Sequence, residues 1–434
     1  MLDPSAVADR LCALAPGAAR FIVALSGGRD SVALLHALVT VRQQLPGPLT
    51  ALHVDHGLHP QAGAWAHGCA RLCEELGVPF ELRRVSVHDH GGEGLEAAAR
   101  RARYEAFSEE MGIAACLVLA HHAEDQAETL LLRALRGGGL HGLSAMPPVR
   151  PLGRGWLARP LLATSRAAVT AYAREHALSW VEDPANHEEA YDRVYLRRQV
   201  LPALTARWPQ AAASIAAGAE ALQADRALLA AYLDGDLAAS RAGDGRPAVA
   251  YLRGLAPRRR QAVVRRWLEV AGYRPPPYRQ LVAGLQDLLA AGADRTPELV
   301  WEEGCIRRYR GRLWLLPAVE PEPAGPSGRW SWSAEQALTL PGGTLSAAWT
   351  PAFGIDPALA ASGVTITFRA GLSSATARRR AQRLFQALRV PPWQRAARPL
   401  LWWRDRPVAV AGYGAARQAA AAPGWRLRWE PATG

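Results

Sequence analysis

FIVALSGGRDSVALL, residues Phe21 to Leu35, is the stretch on which the fold turns. FIVAL reads as a buried strand, and SVALLHALVTV behind it reads as a helix. SGGRDS, Ser26 to Ser31, joins them and is more elaborate than a turn requires. Gly27 and Gly28 allow backbone N–H groups to approach an anion with no side chain in the way. The helix N-terminus adds unpaired donors and the positive end of its dipole. Ser26 and Ser31 supply hydroxyls. Asp30 repels a bare phosphate, so it faces Mg²⁺ or another cation. Taken alone, the six residues fit a Ser- and Gly-rich turn equally well. Two other phosphate loops are excluded: the pattern is not GxGxxG, and a Walker A loop needs a lysine, which this chain lacks.

Working outward, the alternation repeats. LTALHVDH (Leu49–His56), FELRRVSV (Phe80–Val87) and ACLVLAH (Ala115–His121) read as strands, each followed by a helical run. Strand–helix repetition predicts an α/β fold, a doubly wound, mostly parallel, Rossmann-like sheet. After about Leu201 the pattern changes. Ala211–Leu233, Pro257–Ala271 and Tyr278–Ala291 read as amphipathic helices, and Arg312–Pro317 as a strand. A Pro- and Gly-rich run follows, then short strands and one basic helix, Thr376–Leu388. The expected organisation is a catalytic domain over 1–205, a mainly helical middle domain over 206–316, a linker over 317–328 and a small α+β domain over 329–434.

Composition narrows the class. Apolar residues make up 49% of the 434 and charged residues 21%, which suits a folded rather than a disordered chain. The N-terminus reads without a signal peptide, and no uncharged apolar run nears the ~20 residues of a membrane helix. Five cysteines with no CxxC pair argue against a disulfide framework, zinc or an iron–sulfur cluster, so the expected location is the cytoplasm. All 51 basic residues are arginine, and the net charge is +12. From Thr365 onward there are 13 arginines against 2 acids, whereas the rest of the chain has 38 against 37. An excess confined to one segment is the footprint expected of a polyanion partner, most simply nucleic acid.

SGGRDS resembles the SGGxDS loop of the N-type ATP pyrophosphatases, the PP-loop enzymes. Further stretches are similar to the tRNA(Ile)-lysidine synthase family: VDHGLHPQAGAW (Val54–Trp65), LEAAARRARYEAF (Leu95–Phe107), AHHAEDQAETLLLRALRGGGLHGLSAM (Ala120–Met146), RPLL (Arg159–Leu162), WVEDPAN (Trp180–Asn186) and RVPPWQRAARPLL (Arg389–Leu401). The resemblance implies a ligase. ATP would adenylate the 2-carbonyl oxygen of the wobble cytidine in a CAU-anticodon isoleucine tRNA. The ε-amine of free L-lysine would then displace AMP to give lysidine.

Residue roles follow from that resemblance. Ser26, Gly27, Gly28, Arg29, Asp30 and Ser31 would hold ATP phosphates, with Mg²⁺ at Asp30. Asp55, at the end of the second strand, would lie beside adenosine and metal; its plainer role is a turn. Asp125 and Glu128, three apart on one helix, would bind lysine, or merely stabilise a helix start. Arg100 would act at the mouth of the site. For His121 and His122 the sequence leaves chemistry and carboxylate orientation equally open. Arg193, Arg197, Arg379, Arg380 and Arg383 would contact tRNA. Val194 stands where the family carries an amide, so any contact through that amide is lost. Trp393 suits a core or an RNA-stacking platform equally.

Alternatives are another PP-loop tRNA-modifying enzyme or an inactive RNA-binding relative. A thiolase would need cysteine pairs, and the intact loop speaks against a dead module. A homodimer is left open.

Overall fold

In a computed structural model, residues 2–87, 94–182, 192–241, 245–292, 295–318 and 328–431 are described. Most of the expected linker therefore lies outside the described residues. The chain divides into two compact units, residues 1–231 and 232–434.

The first unit opens with α1 (Pro4–Leu14), β1 (Arg20–Ala24), α2 (Arg29–Thr40), β2 (Leu49–Asp55), α3 (Ala62–Glu75) and β3 (Phe80–Arg84). It continues with α4 (Leu95–Glu109), β4 (Ala115–Val118), α5 (Ala123–Leu135), α6 (Leu140–Leu143), β5 (Val149–Leu152), β6 (Gly155–Ala158) and α7 (Arg166–Glu175). The strands form one sheet in the order β3-β2-β1-β4-β6-β5. All pairings are parallel except the β5–β6 hairpin. In the sequence the strand–helix pattern is plain only as far as β4. VRPL and GWLA have only four residues each, and VRPL is interrupted by proline, so neither announces a strand.

Period-two alternation explains why β1 is apolar from Phe21 to Ala24, after Arg20 at its start. Phe21 and Val23 face a core with Leu11, Leu34, Leu38 and Tyr172. Ile22 faces the opposite core with Leu52, Phe107 and Leu117. A strand covered on both faces has no position for a polar side chain. The order of connection creates the ligand crevice. From β1 the chain steps to β2 and β3, then returns to place β4 on the other side of β1. The loops after β1 and β4 therefore diverge, and ligands of such sheets sit between them.

After α7 the described chain resumes with a short helix, Asp192–Tyr195, one wide helical turn, Leu196–Val200, and a helix, Leu201–Arg207. A long helix, Ala211–Ser240, outruns its expected end at Leu233. In the second unit, helices Val249–Gly254, Pro257–Val270 and Tyr278–Ala290 cover a three-stranded antiparallel sheet spanning Glu298–Pro317. Val264, Trp267 and Leu285 meet Ile306 and Leu313 in its core. The remainder holds two five-stranded sheets and the basic helix Ala375–Ala387. Trp393 is half-buried and meets Tyr309 and Trp314 edge-on, each at 5.8 Å, in a small aromatic cluster. Among the described residues no helix is long and apolar enough to cross a membrane.

Gly155 admits the close approach of β6 to β4, because a Cβ there would lie 2.2 Å from the Ala115 carbonyl oxygen of that strand. Gly155→Ala should therefore cost about 2 kcal/mol by overpacking. A urea midpoint equal to that of the wild type would show that the strands can separate freely at that point.

Candidate functional site

A cleft of about 690 Å³ opens at the carboxyl ends of β1, β2 and β4, within the range of small-ligand sites. Ser26, Gly28, Arg29, Asp30 and Ser31 line it, as do Asp55, Arg100, Asp125 and Arg197. All the expected nucleotide residues but Gly27, and one of the two acids expected to bind lysine, thus share one concave wall.

The loop after β1 is held open by its own hydroxyls. Ser26 and Ser31 share a hydrogen bond of 3.0 Å, and Ser31 Oγ donates to the Gly28 carbonyl at 2.9 Å. Ser26 Oγ accepts from Gly28 N–H at 3.3 Å. Gly27 adopts φ +82°, and a Cβ there would stand 3.1 Å from Cys69 Sγ, so glycine is needed for both conformation and room. No side chain caps the N-terminus of α2, which leaves its donors to face the cleft.

Asp30 looks into the same space. Its Oδ1 lies 2.8 Å from Arg29 Nη2, and its Oδ2 lies 3.7 Å from His122 Nε2. Burial alone would raise its pKa, but the hydrogen bonds and charges of His122 and Arg29 bring it below the ordinary value. Asp55 closes a turn by accepting from Gly57 N–H at 2.9 Å, with Arg84 Nε 3.9 Å from its second oxygen. Both readings of this residue, turn and cleft wall, therefore coexist. Among the described residues no group of three or more His, Cys, Asp or Glu side chains could enclose a metal.

The loop after β4 brings a charged network. His122 caps α5, its N–H donating to Asp125 at 3.0 Å. Its ring lies 3.0 Å from Glu124 as well as close to Asp30 and Asp125. Burial opposes its positive charge, yet these three carboxylates push its pKa up to about 9. It is therefore an imidazolium at neutral pH that orients acids. His121 behaves in the opposite way. Burial lowers its pKa to about 3, against Asp125 and with help from Arg159, Arg193 and Arg100.

Glu128 is fully buried, and Asp125 nearly so. Arg193 Nε donates to Glu128 at 2.8 Å and its Nη2 to Asp125 at 3.1 Å. Arg197 repeats the pattern at 2.8 Å and 3.2 Å, and Arg166 reaches Glu128 at 3.3 Å. Burial would raise the Asp125 pKa, but His122, His121 and Arg193 hold it well below the usual carboxylate range. The two acids proposed for lysine thus face Arg193 and Arg197, the two cations proposed for tRNA. Those guanidinium groups point into the first unit in this arrangement.

Sequence reasoning missed Arg166, Tyr104 and Arg159. Arg166 opens α7, 42 positions beyond Glu124, whose carboxylate accepts its N–H, and no spacing rule links the two. Arg100 stacks over Tyr104 at 5.0 Å and donates to its hydroxyl at 3.4 Å, so the arginine comes with an aromatic partner. His59 and Trp65 stack in parallel at 4.5 Å in the cleft wall. Of the WVEDPAN stretch, the residues beyond Glu182 lie outside the described residues. In the second unit, Arg379 and Arg383 are exposed on the helix Ala375–Ala387, and Arg380 donates to Asp405.

Comparison with known proteins agrees along the whole chain. A PP-loop domain family matches residues 5–204, a TilS substrate-binding domain matches 248–314, and a TilS C-terminal domain matches 364–429. The chain is 42% identical over 433 residues to a tRNA(Ile)-lysidine synthase of Alkalilimnicola ehrlichii, covering 98% of this chain and 96% of the other. It is 40% identical over 408 residues to that of Methylococcus capsulatus, covering 92% of each. It is 39% identical over 400 residues to that of Coxiella burnetii, covering 91% of this chain and 88% of the other.

Removing Glu128 should leave the half-buried Arg193 and Arg197 against a single remaining acid. Glu128→Ala is expected to cost about 1.5–3 kcal/mol, from the charge-assisted hydrogen bonds lost by guanidinium groups that solvent partly screens. Chemical denaturation measures it; a loss below about 1 kcal/mol would mean that the clamp adds nothing to stability.

Proposed function

The chain belongs to the tRNA(Ile)-lysidine synthase family, and from that premise we propose how its cleft carries out the reaction. The enzyme is a carbon–nitrogen ligase that uses ATP and acts on tRNA(Ile). ATP adenylates the 2-carbonyl oxygen of the wobble cytidine, releasing pyrophosphate. The lysine ε-amine, once deprotonated, adds to that carbon, and AMP leaves with the oxygen. One observation carries the assignment of sites: the Ser26–Ser31 loop and Asp125 line one cleft at the switch point of the sheet, with Glu128 buried three positions further along α5.

Ser26, Gly27, Gly28, Arg29 and Ser31 would hold the β and γ phosphates through backbone N–H groups, hydroxyls and the N-terminus of α2. The donor set fits Mg²⁺ only as a shared site, with Asp30 as one ligand and the phosphates as others, as is usual for this ion. When bound, the ion would neutralise phosphate charge. Asp55 would meet the adenosine side, and Arg100 the anionic transition state at the mouth.

Asp125 and Glu128 would bind lysine by exchanging ion pairs. A free amino acid carries an ammonium and a carboxylate. Its ammonium can replace a guanidinium on the acids, while its carboxylate takes the guanidinium released. Such an exchange keeps every buried charge paired, the condition on which their burial depends. Arg193 and Arg197, so released, are the cations available to the lysine carboxylate or to an anticodon phosphate. We retain the division at 205, 316 and 328, the cytoplasmic location and an open oligomeric state as parts of this reading.

The exposed Arg379 and Arg383, with Arg380, would bind tRNA phosphates, where arginine serves as well as the lysines common in the family. Two outcomes test these roles. Asp30→Ala should abolish tRNA-dependent pyrophosphate release while leaving the thermal midpoint within a few degrees; wild-type turnover would sink the phosphate-loop assignment. Arg379→Glu with Arg383→Glu should weaken tRNA binding and flatten its salt dependence by about two in log–log slope. An unchanged slope would remove the basic helix from the interface.

A further inference from the structure

Arg159 is left unused by the reaction just described. It follows β6 in the RPLL stretch and is only 3% exposed. Burying a guanidinium is costly unless its donors are met. Burial lowers its pKa, as do Arg150 and Arg100, while Tyr104 opposes them. Its hydrogen-bond partners are neutral. Nη1 donates to the Pro147 carbonyl at 2.8 Å, and Nε donates to His121 Nδ1 at 3.2 Å. Tyr104 adds a further hydrogen bond.

The second of these bonds has a chemical consequence. A guanidinium only donates, so His121 Nδ1 must present its lone pair. A neutral imidazole with an unprotonated Nδ1 carries its proton on Nε2. His121 follows β4 and lines the cleft that holds the Ser26–Ser31 loop. We propose that Arg159 is a positioning residue that locks His121 as the Nε2–H tautomer, making it a neutral hydrogen-bond donor to an oxygen of the reacting nucleotide.

The charges around His121 agree. Arg159 after β6, Arg193 on Asp192–Tyr195 and Arg100 on α4 disfavour a second proton, and Asp125 on α5 favours one. Burial and the cations prevail, and the ring is held neutral. Adenylation gathers negative charge on phosphate oxygens as pyrophosphate leaves. A fixed neutral donor stabilises that charge without surrendering its proton. His122, one position on, is charged and engaged with three carboxylates, so the adjacent histidines divide into an orienter of acids and a donor to substrate. The oxygen assigned to Nε2–H rests on the adenylation reading; the tautomer does not.

The test is nitrogen NMR of the full-length protein labelled at histidine, with His121 identified by the signal lost in His121→Gln. The expected spectrum shows an unprotonated Nδ1 and a protonated Nε2 that do not titrate between about pH 5.5 and 9. In Arg159→Leu the tautomers should mix and the ring should titrate. For tRNA-dependent pyrophosphate release, Arg159→Leu should lower kcat about 10- to 100-fold, with KM for ATP and lysine within about twofold, and kcat should acquire an acidic limb. Arg159→Lys, which keeps a donor, should recover most of the rate. A protonated Nδ1, or a titrating His121 in the wild type, would overturn the proposal whether or not Arg159→Leu folds. If that variant does not fold, His121→Gln, which keeps an N–H donor, should stay within about tenfold of the wild type, and His121→Ala should fall below it. Equal rates for the wild type and His121→Ala would remove the donor role. A wild type that releases no pyrophosphate would refute adenylation, and with it the oxygen assigned to Nε2–H, while the tautomer would be judged by its own spectrum.

Discussion

A carboxylate with no exposure at all can remain ionised only if cations reach it, and Glu128 has Arg166, Arg193 and Arg197 within 3.3 Å. That requirement ties together segments distant in sequence. α5 supplies the acids, α7 supplies Arg166, and the turn around Leu196–Val200 supplies Arg197. The same acids reach the nucleotide side through His122, which lies between Asp125 and Asp30. One electrostatic network therefore runs from the Asp125–Glu128 pair to the Ser26–Ser31 loop. Disturbing a charge at either end changes the pairing available at the other.

The sheet makes this network possible. Only where the strand order reverses do two loops open away from each other, and here they follow β1 and β4. The loop after β1 brings hydroxyls, glycines and Asp30, all suited to phosphate and its counter-ion. The loop after β4 brings the histidine pair and the acids. A reaction that joins a nucleotide to an amino acid needs both kinds of group on one wall, and the doubly wound topology supplies that wall without long excursions of the chain. The β5–β6 hairpin extends the wall and carries Arg159 to His121.

Local pattern made much of this legible. The apolar run Phe21–Leu25, the glycines at 27 and 28 and the helix beginning at Ala123 each follow from one period or one propensity, and each appears where those rules put it. The phosphate-loop residues and Asp125 could be brought to one cleft because strand ends in such a sheet face one crevice. Partnership between distant residues was not legible. Nothing at Arg193 or Arg197 announces that their guanidinium groups face Asp125 and Glu128, since an arginine followed by valine or by another arginine reads as a surface position. The His121 tautomer depends on an arginine 38 positions away, and the edge-on contacts of Trp393 depend on Tyr309 and Trp314. Contacts at such separations have no periodic signature.

The account stands or falls on the identity of the nucleophile and of the nucleic acid. The direct measurement is transfer of labelled lysine, with ATP, to a CAU-anticodon isoleucine tRNA and to the matching methionine tRNA, with AMP followed in parallel. The account predicts one lysine retained per isoleucine tRNA, an equal amount of AMP, and neither with the methionine tRNA. AMP released without retained lysine, or lysine retained equally by both tRNAs, would contradict it.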